Sequence, residues 1–130
     1  MTQFAYSDKV KKHFLNPQNF LMGDEKNFDF NAKGIAGNMI CGDEMIMYLK
    51  IKNNKILDAK WKTYGCASAV ASTSVLSEMI KNKTLEEALK ITPEQIEKAL
   101  DYLPKHKFHC SVLGDEALQK AIENYRKSKK

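Results

Sequence analysis

The stretch Met45-Ile-Met-Tyr-Leu-Lys-Ile51, then Lys52-Asn53-Asn54-Lys55, then Ile56-Leu-Asp-Ala-Lys-Trp-Lys-Thr63, decides the fold. Met45, Met47, Leu49 and Ile51 recur at every second position, which sets them on one face of a strand. Asn53-Asn54 suits a two-residue hairpin turn, because asparagine tolerates the left-handed backbone that such turns need. The second run alternates too, with Leu57, Ala59 and Trp61 on one face and Asp58, Lys60 and Lys62 on the other. The two runs predict an antiparallel pair with one face packed and the other in water.

C-terminal to this pair the period changes. After Gly65, Val70, Thr73, Leu76, Ser77 and Ile80 recur at helical spacing, so Cys66 falls at or near a helix start. Thr84 with Glu87 forms a capping-box pattern, and Thr92 with Gln95 repeats it, with Pro93 at the favoured first position. Pro104 closes that segment. A last helix is expected from near Ser111, with Asp115 and Glu116 in its early turns and Leu118, Ala121, Ile122 and Tyr125 as its apolar stripe. N-terminal to the pair, Ser7 is a candidate cap for a short helix in which Tyr6, Val10 and Phe14 share a face. Asn16-Pro17 should end that helix. Residues 20–33 read as loop, and Gly34, Gly37 and Gly42 punctuate a stretch with room for one short strand. Strands first and helices after is the α+β pattern.

The chain has 130 residues, a length that suits one domain, residues 1–130, and can bury a core without disulfides. No run of about 18 apolar residues is present, so no transmembrane helix is expected. The start, MTQFAYSDKV, lacks the basic-then-apolar order of a signal peptide. The expected compartment is the cytosol, a processed organellar form being the alternative. The formal charge of +5 comes almost entirely from lysine. No nucleic-acid motif accompanies it, and an acidic protein partner fits it equally well.

Three cysteines are present, Cys41, Cys66 and Cys110, and an odd number argues against a closed disulfide framework. None lies in a CxxC pair. Cys41 lies in a glycine-punctuated loop before the first clear strand, Cys66 follows a strand and opens a helix, and Cys110 precedes the final helix. Free N–H groups at a helix start favour thiolate, the form that binds metal and attacks sulfur. A free cysteine is often only a small buried hydrophobe. Three at element boundaries, with Asp43 two residues from Cys41 and His109 beside Cys110, weaken that bland reading, and three loop ends could converge at one edge of the sheet. Asp43 alone would more often be a turn residue. His106 ranks below His109, Lys107 taken alone reads as solvated, and His13 reads as a surface residue.

The segments Cys41-Gly42-Asp43, Lys62-Thr-Tyr-Gly-Cys-Ala-Ser-Ala69 and Lys107-Phe-His-Cys-Ser111 resemble the three ligand blocks of the IscU/NifU N-terminal scaffold family. Ala5-Tyr-Ser-Asp-Lys9 and Asn16-Pro17 resemble it as well, and the likeness runs over nearly the whole chain. The resemblance implies a small antiparallel three-stranded sheet packed with about five helices. It implies a scaffold, a carrier and not an enzyme, that assembles a transient iron–sulfur cluster and transfers it to apo-proteins. Cys41, Cys66 and Cys110 would be ligands, with Asp43 a ligand or a modulator of release and His109 an alternative fourth ligand. Lys107 would influence ligand exchange, and Cys110 would accept persulfide sulfur from a cysteine desulfurase.

The cluster would be [2Fe-2S] or [4Fe-4S], and the same donors make a tetrahedral zinc site in the apo form. An iron donor, a ferredoxin, an Hsp70-type chaperone and apo iron–sulfur clients are the implied partners, with no nucleic acid and no membrane. Two departures stand out. Leu103-Pro104-Lys105-His106-Lys107 keeps only the first two residues and the final lysine of the family's Leu-Pro-Pro-Val-Lys chaperone segment, which implies either no dedicated Hsp70 or a general one. Asn38-Met-Ile precedes Cys41, where the family usually has a proline. A zinc-dependent sulfur acceptor of the SufU kind is the alternative, although that branch carries an insertion for which the interval from Cys66 to Cys110 is short. A structural zinc domain ranks third.

Overall fold

The computed structural model describes residues 7–38, 43–64, 67–101 and 108–128, and describes 38, 43, 64, 67, 68 and 108–113 through the backbone alone. Three strands, β1 (Ala32–Asn38), β2 (Asp43–Lys52) and β3 (Lys55–Tyr64), form one antiparallel sheet in the order β1-β2-β3. Among the described residues five helices accompany it: α1 (Asp8–Leu15), α2 (Ala67–Ile80), α3 (Leu85–Leu89), α4 (Pro93–Ala99) and α5 (Phe108–Ser128).

The hairpin forms as its sequence dictates. Asn53 and Asn54 both take positive φ, 54° and 63°, the signature of the tight turn whose twist matches the strands. Met45, Met47, Leu49, Ile51, Ala59 and Trp61 are buried on the expected face. Each large apolar side chain buried in this way contributes about 1.5–3 kcal/mol relative to exposure. Leu57 departs from expectation. The register shifts between Lys50 and Ile51, so Ile51 pairs with Ile56 while Lys50 pairs with Asp58. Leu57 is the extra residue of this bulge and is 42% exposed, and Ile56 takes the core position.

The polar face is not left to water either. Strand β1 begins at Ala32, inside the stretch read as loop, and residues 18–31 fold across the sheet. Glu25, in a single 3-10 turn (Glu25–Asn27), accepts hydrogen bonds from Lys33 Nζ and Tyr48 Oη, both at 3.0 Å. These bonds, that from Lys33 first, hold the Glu25 carboxyl below the usual range. Phe30 packs edge-on against Tyr48 at 5.0 Å between centroids. Tyr48 is therefore 1% exposed, although it sits on the charged face of its strand.

Helix α2 is buried on nearly every side, with all of residues 71–77 inside. Its small residues let α1, the sheet and α5 close in around it, and its hydroxyls find partners as buried polar groups must. Thr73 Oγ1 donates to the Ala69 carbonyl at 2.9 Å and Ser77 Oγ to that of Ser74 at 2.7 Å. Ser74 Oγ accepts the Gln18 amide and meets His13 Nδ1, each at 2.7 Å. His13 is thus a packing residue between α1 and α2, not a surface group. Burial pushes its pKa below the ordinary value, against the opposing pull of Glu78.

The caps behave as read. Ser7 caps α1 by accepting from the Val10 amide at 3.1 Å, and the Ser7 hydroxyl donates to the Leu100 carbonyl at the end of α4. Both capping boxes are complete. Helix α5 starts at Phe108, earlier than expected, because nothing between Pro104 and Gly114 breaks a helix. Its buried stripe, Ala117, Leu118, Ala121 and Ile122, lies against the sheet.

Helix α5 meets β1 at backbone level. A Cβ on Gly34 would lie 2.3 Å from both the Ala117 carbonyl oxygen and the Ala121 nitrogen. Main chain cannot swing aside as a side-chain tip can, so Gly34→Ala must displace the helix. The expected loss is about 3 kcal/mol, read as a lowered midpoint in denaturant or thermal unfolding. Gly37→Ala, at an exposed position of the same strand, should stay within about 0.5 kcal/mol of the parent.

Candidate metal centre

The elements that flank the three cysteines share an orientation. Strand β1 ends at Asn38 and β2 begins at Asp43, and these two residues pair. Strand β3 ends at Tyr64, opposite Glu44. One end of the sheet is thus formed by Asn38, Asp43 and Tyr64, and the other by the Asn53-Asn54 turn.

Both long helices run away from the first end. The segment after α2 bonds to Ile56 near the turn, Asn82 N donating to the Ile56 carbonyl at 2.7 Å and Ile56 N to that of Lys83 at 2.8 Å. At the far end of α5, Arg126 pairs with Glu86 at 3.1 Å, and Asn54 Nδ2 donates to the same carboxylate at 2.6 Å. The N-terminal ends of α2 and α5 therefore lie toward Asn38, Asp43 and Tyr64. Three residues from the three segments meet there. A Cβ on Gly114 would lie 3.2 Å from Thr73 Oγ1, and Thr73 Oγ1 lies 3.3 Å from Met45 Sδ.

Cys41, Cys66 and Lys107 lie outside the described residues, as does His106. Asp43 is described in its backbone, as the first residue of β2. His109 and Cys110 are described in theirs, within the first turn of α5. Cys110 is therefore inside the helix and does not precede it, since α5 starts at Phe108. Among the described residues, no three His, Cys, Asp or Glu side chains group as a metal site.

The sequence matches the NifU-like N terminal domain over residues 5–130. This chain belongs to that family. The iron–sulfur cluster assembly scaffold protein IscU 1 of Archaeoglobus fulgidus is 50% identical over 120 residues, covering 92% of this chain and 76% of that protein. The scaffold protein IscU of Haemophilus influenzae is 45% identical over 123 residues, covering 94% of this chain and 96% of that one. Among solved structures, the N-terminal NifU-like protein of Brucella abortus superimposes with a TM-score of 0.72 at 16% identity, covering 93% and 94% of the two chains. At that identity it speaks for the fold alone.

This NifU-like domain also buries a carboxyl near the start of α5. Asp115, expected in an early turn of the last helix, is only 8% exposed. Its Oδ2 accepts from Gln119 Nε2 at 2.9 Å, while Oδ1 has no hydrogen-bond partner among the described residues. Burial foremost pushes its pKa up. The Gln119 bond opposes that shift, and Glu116 and Glu94 add to it. The physical reason is helical phase: Asp115 stands three and seven residues before Leu118 and Ile122, and so lies on the same buried face of α5. The i, i+3, i+7 spacing from Asp115 to Leu118 and Ile122 is the sequence signal that marks the burial.

A carboxyl whose pKa rises on folding costs the fold nothing below its unfolded value, destabilises it progressively as pH rises from the unfolded to the folded value, and costs no more above that. Asp115→Asn should therefore raise stability at neutral pH by about 1 kcal/mol. The gain should shrink toward zero as pH falls to the ordinary aspartate value. Chemical denaturation of both proteins across that range measures it.

Proposed function

We propose that this chain is an iron–sulfur cluster assembly scaffold, which gathers iron and desulfurase-derived sulfur on Cys41, Cys66 and Cys110 and transfers the cluster to apo-proteins. The observation that carries the reading is the 50% identity to a scaffold protein over 92% of the chain, in a chain that holds cysteine at each of its three blocks.

The physics of the described frame supports it. Helix α2 begins one residue after Cys66, and Cys110 is in the first turn of α5. A helix start carries partial positive charge and free N–H groups, which favour thiolate over thiol. Cys41 stands two residues before Asp43 in the sequence, and both helix starts lie toward the end of the sheet where Asp43 opens β2. Sites borne on short connections between rigid elements combine reach with fixed placement.

Three thiolates leave a fourth position to Asp43 or His109. An oxygen or imidazole donor matches iron less well than sulfur does, so that position is the one at which the cargo is released. Lys107, three residues from Cys110, is assigned a part in ligand exchange. Sulfur arrives as a persulfide on Cys110, delivered by a cysteine desulfurase. Freeing its outer sulfur as sulfide takes two electrons, which a ferredoxin would supply. The cluster is cargo, so the chain acts as a carrier and not a catalyst. A [2Fe-2S] cluster is the form assigned, a [4Fe-4S] cluster being the alternative, and zinc occupies the same donors when iron is absent. Free thiols suit a reducing compartment such as the cytosol.

Anaerobic incubation with ferrous iron, cysteine and a desulfurase should give the visible absorption of an iron–sulfur cluster. Cys41→Ser, Cys66→Ser and Cys110→Ser should each lose most of it while keeping the parent's circular dichroism. A colourless protein that retains zinc while sulfur loads onto Cys110 would replace this reading with that of a sulfur acceptor. Asp43→Ala should still assemble cluster but slow its transfer to an apo-ferredoxin about tenfold, the effect of roughly 1.4 kcal/mol on the release barrier. Unchanged transfer kinetics would remove Asp43 from the mechanism.

A further inference from the structure

The two outer edges of the sheet are treated differently. Along β3 most of the outward main chain is paired. Trp61 N donates to the Asn19 carbonyl at 3.3 Å, and the Trp61 carbonyl accepts from Leu21 N at 2.9 Å. Ile56 is bonded through both its N–H and its C=O to residues 82–83. Ala59 N is closed off by Asp58 Oδ1 at 2.9 Å. Along β1, alternation sends the main-chain groups of Ala32, Gly34 and Ala36 toward β2 and those of Lys33, Ile35 and Gly37 outward. The Lys33 carbonyl accepts Asn124 Nδ2 at 2.8 Å. Among the described residues, no other hydrogen bond reaches the outward groups of this strand.

An unpaired edge beside an exposed apolar residue is a template for another strand, and Ile35 is 46% exposed. The edge is not flat. Helix α5 overhangs it, and Lys33, Ile35, Lys120, Glu123 and Asn124 enclose a groove of about 460 Å³. One extended chain would sit there at the usual strand spacing of about 4.8 Å.

We propose that this groove takes an extended segment of an acidic partner protein, added to β1 as a fourth strand. Main-chain bonds to Ile35 and Gly37 would hold it, and alternate side chains would give the selectivity. One face of the added strand meets Ile35 and calls for an apolar residue. The other faces α5, where charge decides. Glu25 holds Lys33 at 3.0 Å and Lys127 holds Glu123 at 3.3 Å. That leaves Lys120 as the charge of this groove without an ion pair among the described residues, and an acidic residue answers it. A second copy of this chain fits less well, because it would set +5 against +5 and press the overhanging α5 of one copy against that of the other.

The test uses the full chain, labelled with nitrogen-15, and a short capped peptide alternating valine with glutamate. Titration should shift the amide signals of Ile35 and Gly37 and leave those of Ala59 and Trp61 unmoved. Lys120→Glu, an exposed change, should weaken that peptide several-fold and favour its valine–lysine counterpart. Methylating the peptide nitrogens that face β1 should abolish binding, whereas methylating the alternate set should not. The proposal is overturned if the shifts fall elsewhere or are absent, or if Lys120→Glu changes nothing. It is equally overturned if the free protein sediments as a dimer with the Ile35 and Gly37 amides already protected from exchange, which would give the edge to a second copy.

Discussion

Main chain lies against main chain where α5 crosses β1. No side chain fits between Gly34 and the backbone of Ala117 and Ala121, so the helix sits at the lowest height a sheet allows. That contact fixes where α5 lies. The Arg126–Glu86–Asn54 tie at its far end fixes which way it runs. Together they decide where the first turn of α5, with His109 and Cys110 in its backbone, comes out of the core. A helix held only by interdigitating side chains would have room to slide, whereas this one has very little.

The rest of the core carries the same orientation to the other two segments. Helix α2 is enclosed by α1, the sheet and α5, with its hydroxyls satisfied by neighbouring backbone and by residues 13–19. It therefore starts at a defined point beyond Tyr64. Residues 18–31 cover much of the second face of the sheet, so β2 is packed from both sides at Tyr48. A carrier of reactive cargo needs such a frame, because a weakly held fourth position is useful only if the other three are not also loose.

Much of this was legible in the sequence, and the exceptions have physical causes. Period-two runs, the Asn53-Asn54 turn and two capping boxes are local signals, and each formed where local chemistry put it. Leu57 and Tyr48 went the other way for non-local reasons. A register shift opposite Lys50 turned Leu57 outward, and residues 25–30, distant in sequence, covered Tyr48. His13 was read as a surface group because Ser74, its partner, is 61 residues away. The apolar stripe read on the last helix begins at Leu118, yet Asp115, three residues before it, shares that face and goes into the core with it. For the candidate centre, the sequence set the three cysteines at element boundaries, and the resemblance to the family named the blocks that carry them. That the elements flanking them point to one end of the sheet is a tertiary fact that no window of sequence contains.

The central claim is that three sulfurs from separate segments grip one metal centre. Cadmium-113 NMR of the cadmium-loaded chain, with cadmium standing in for zinc, tests it without any dependence on cluster chemistry. One cadmium resonance coupled to the β-protons of Cys41, Cys66 and Cys110 together is the predicted result. Several resonances each coupled to a single cysteine, or one that never couples to more than two, would contradict it.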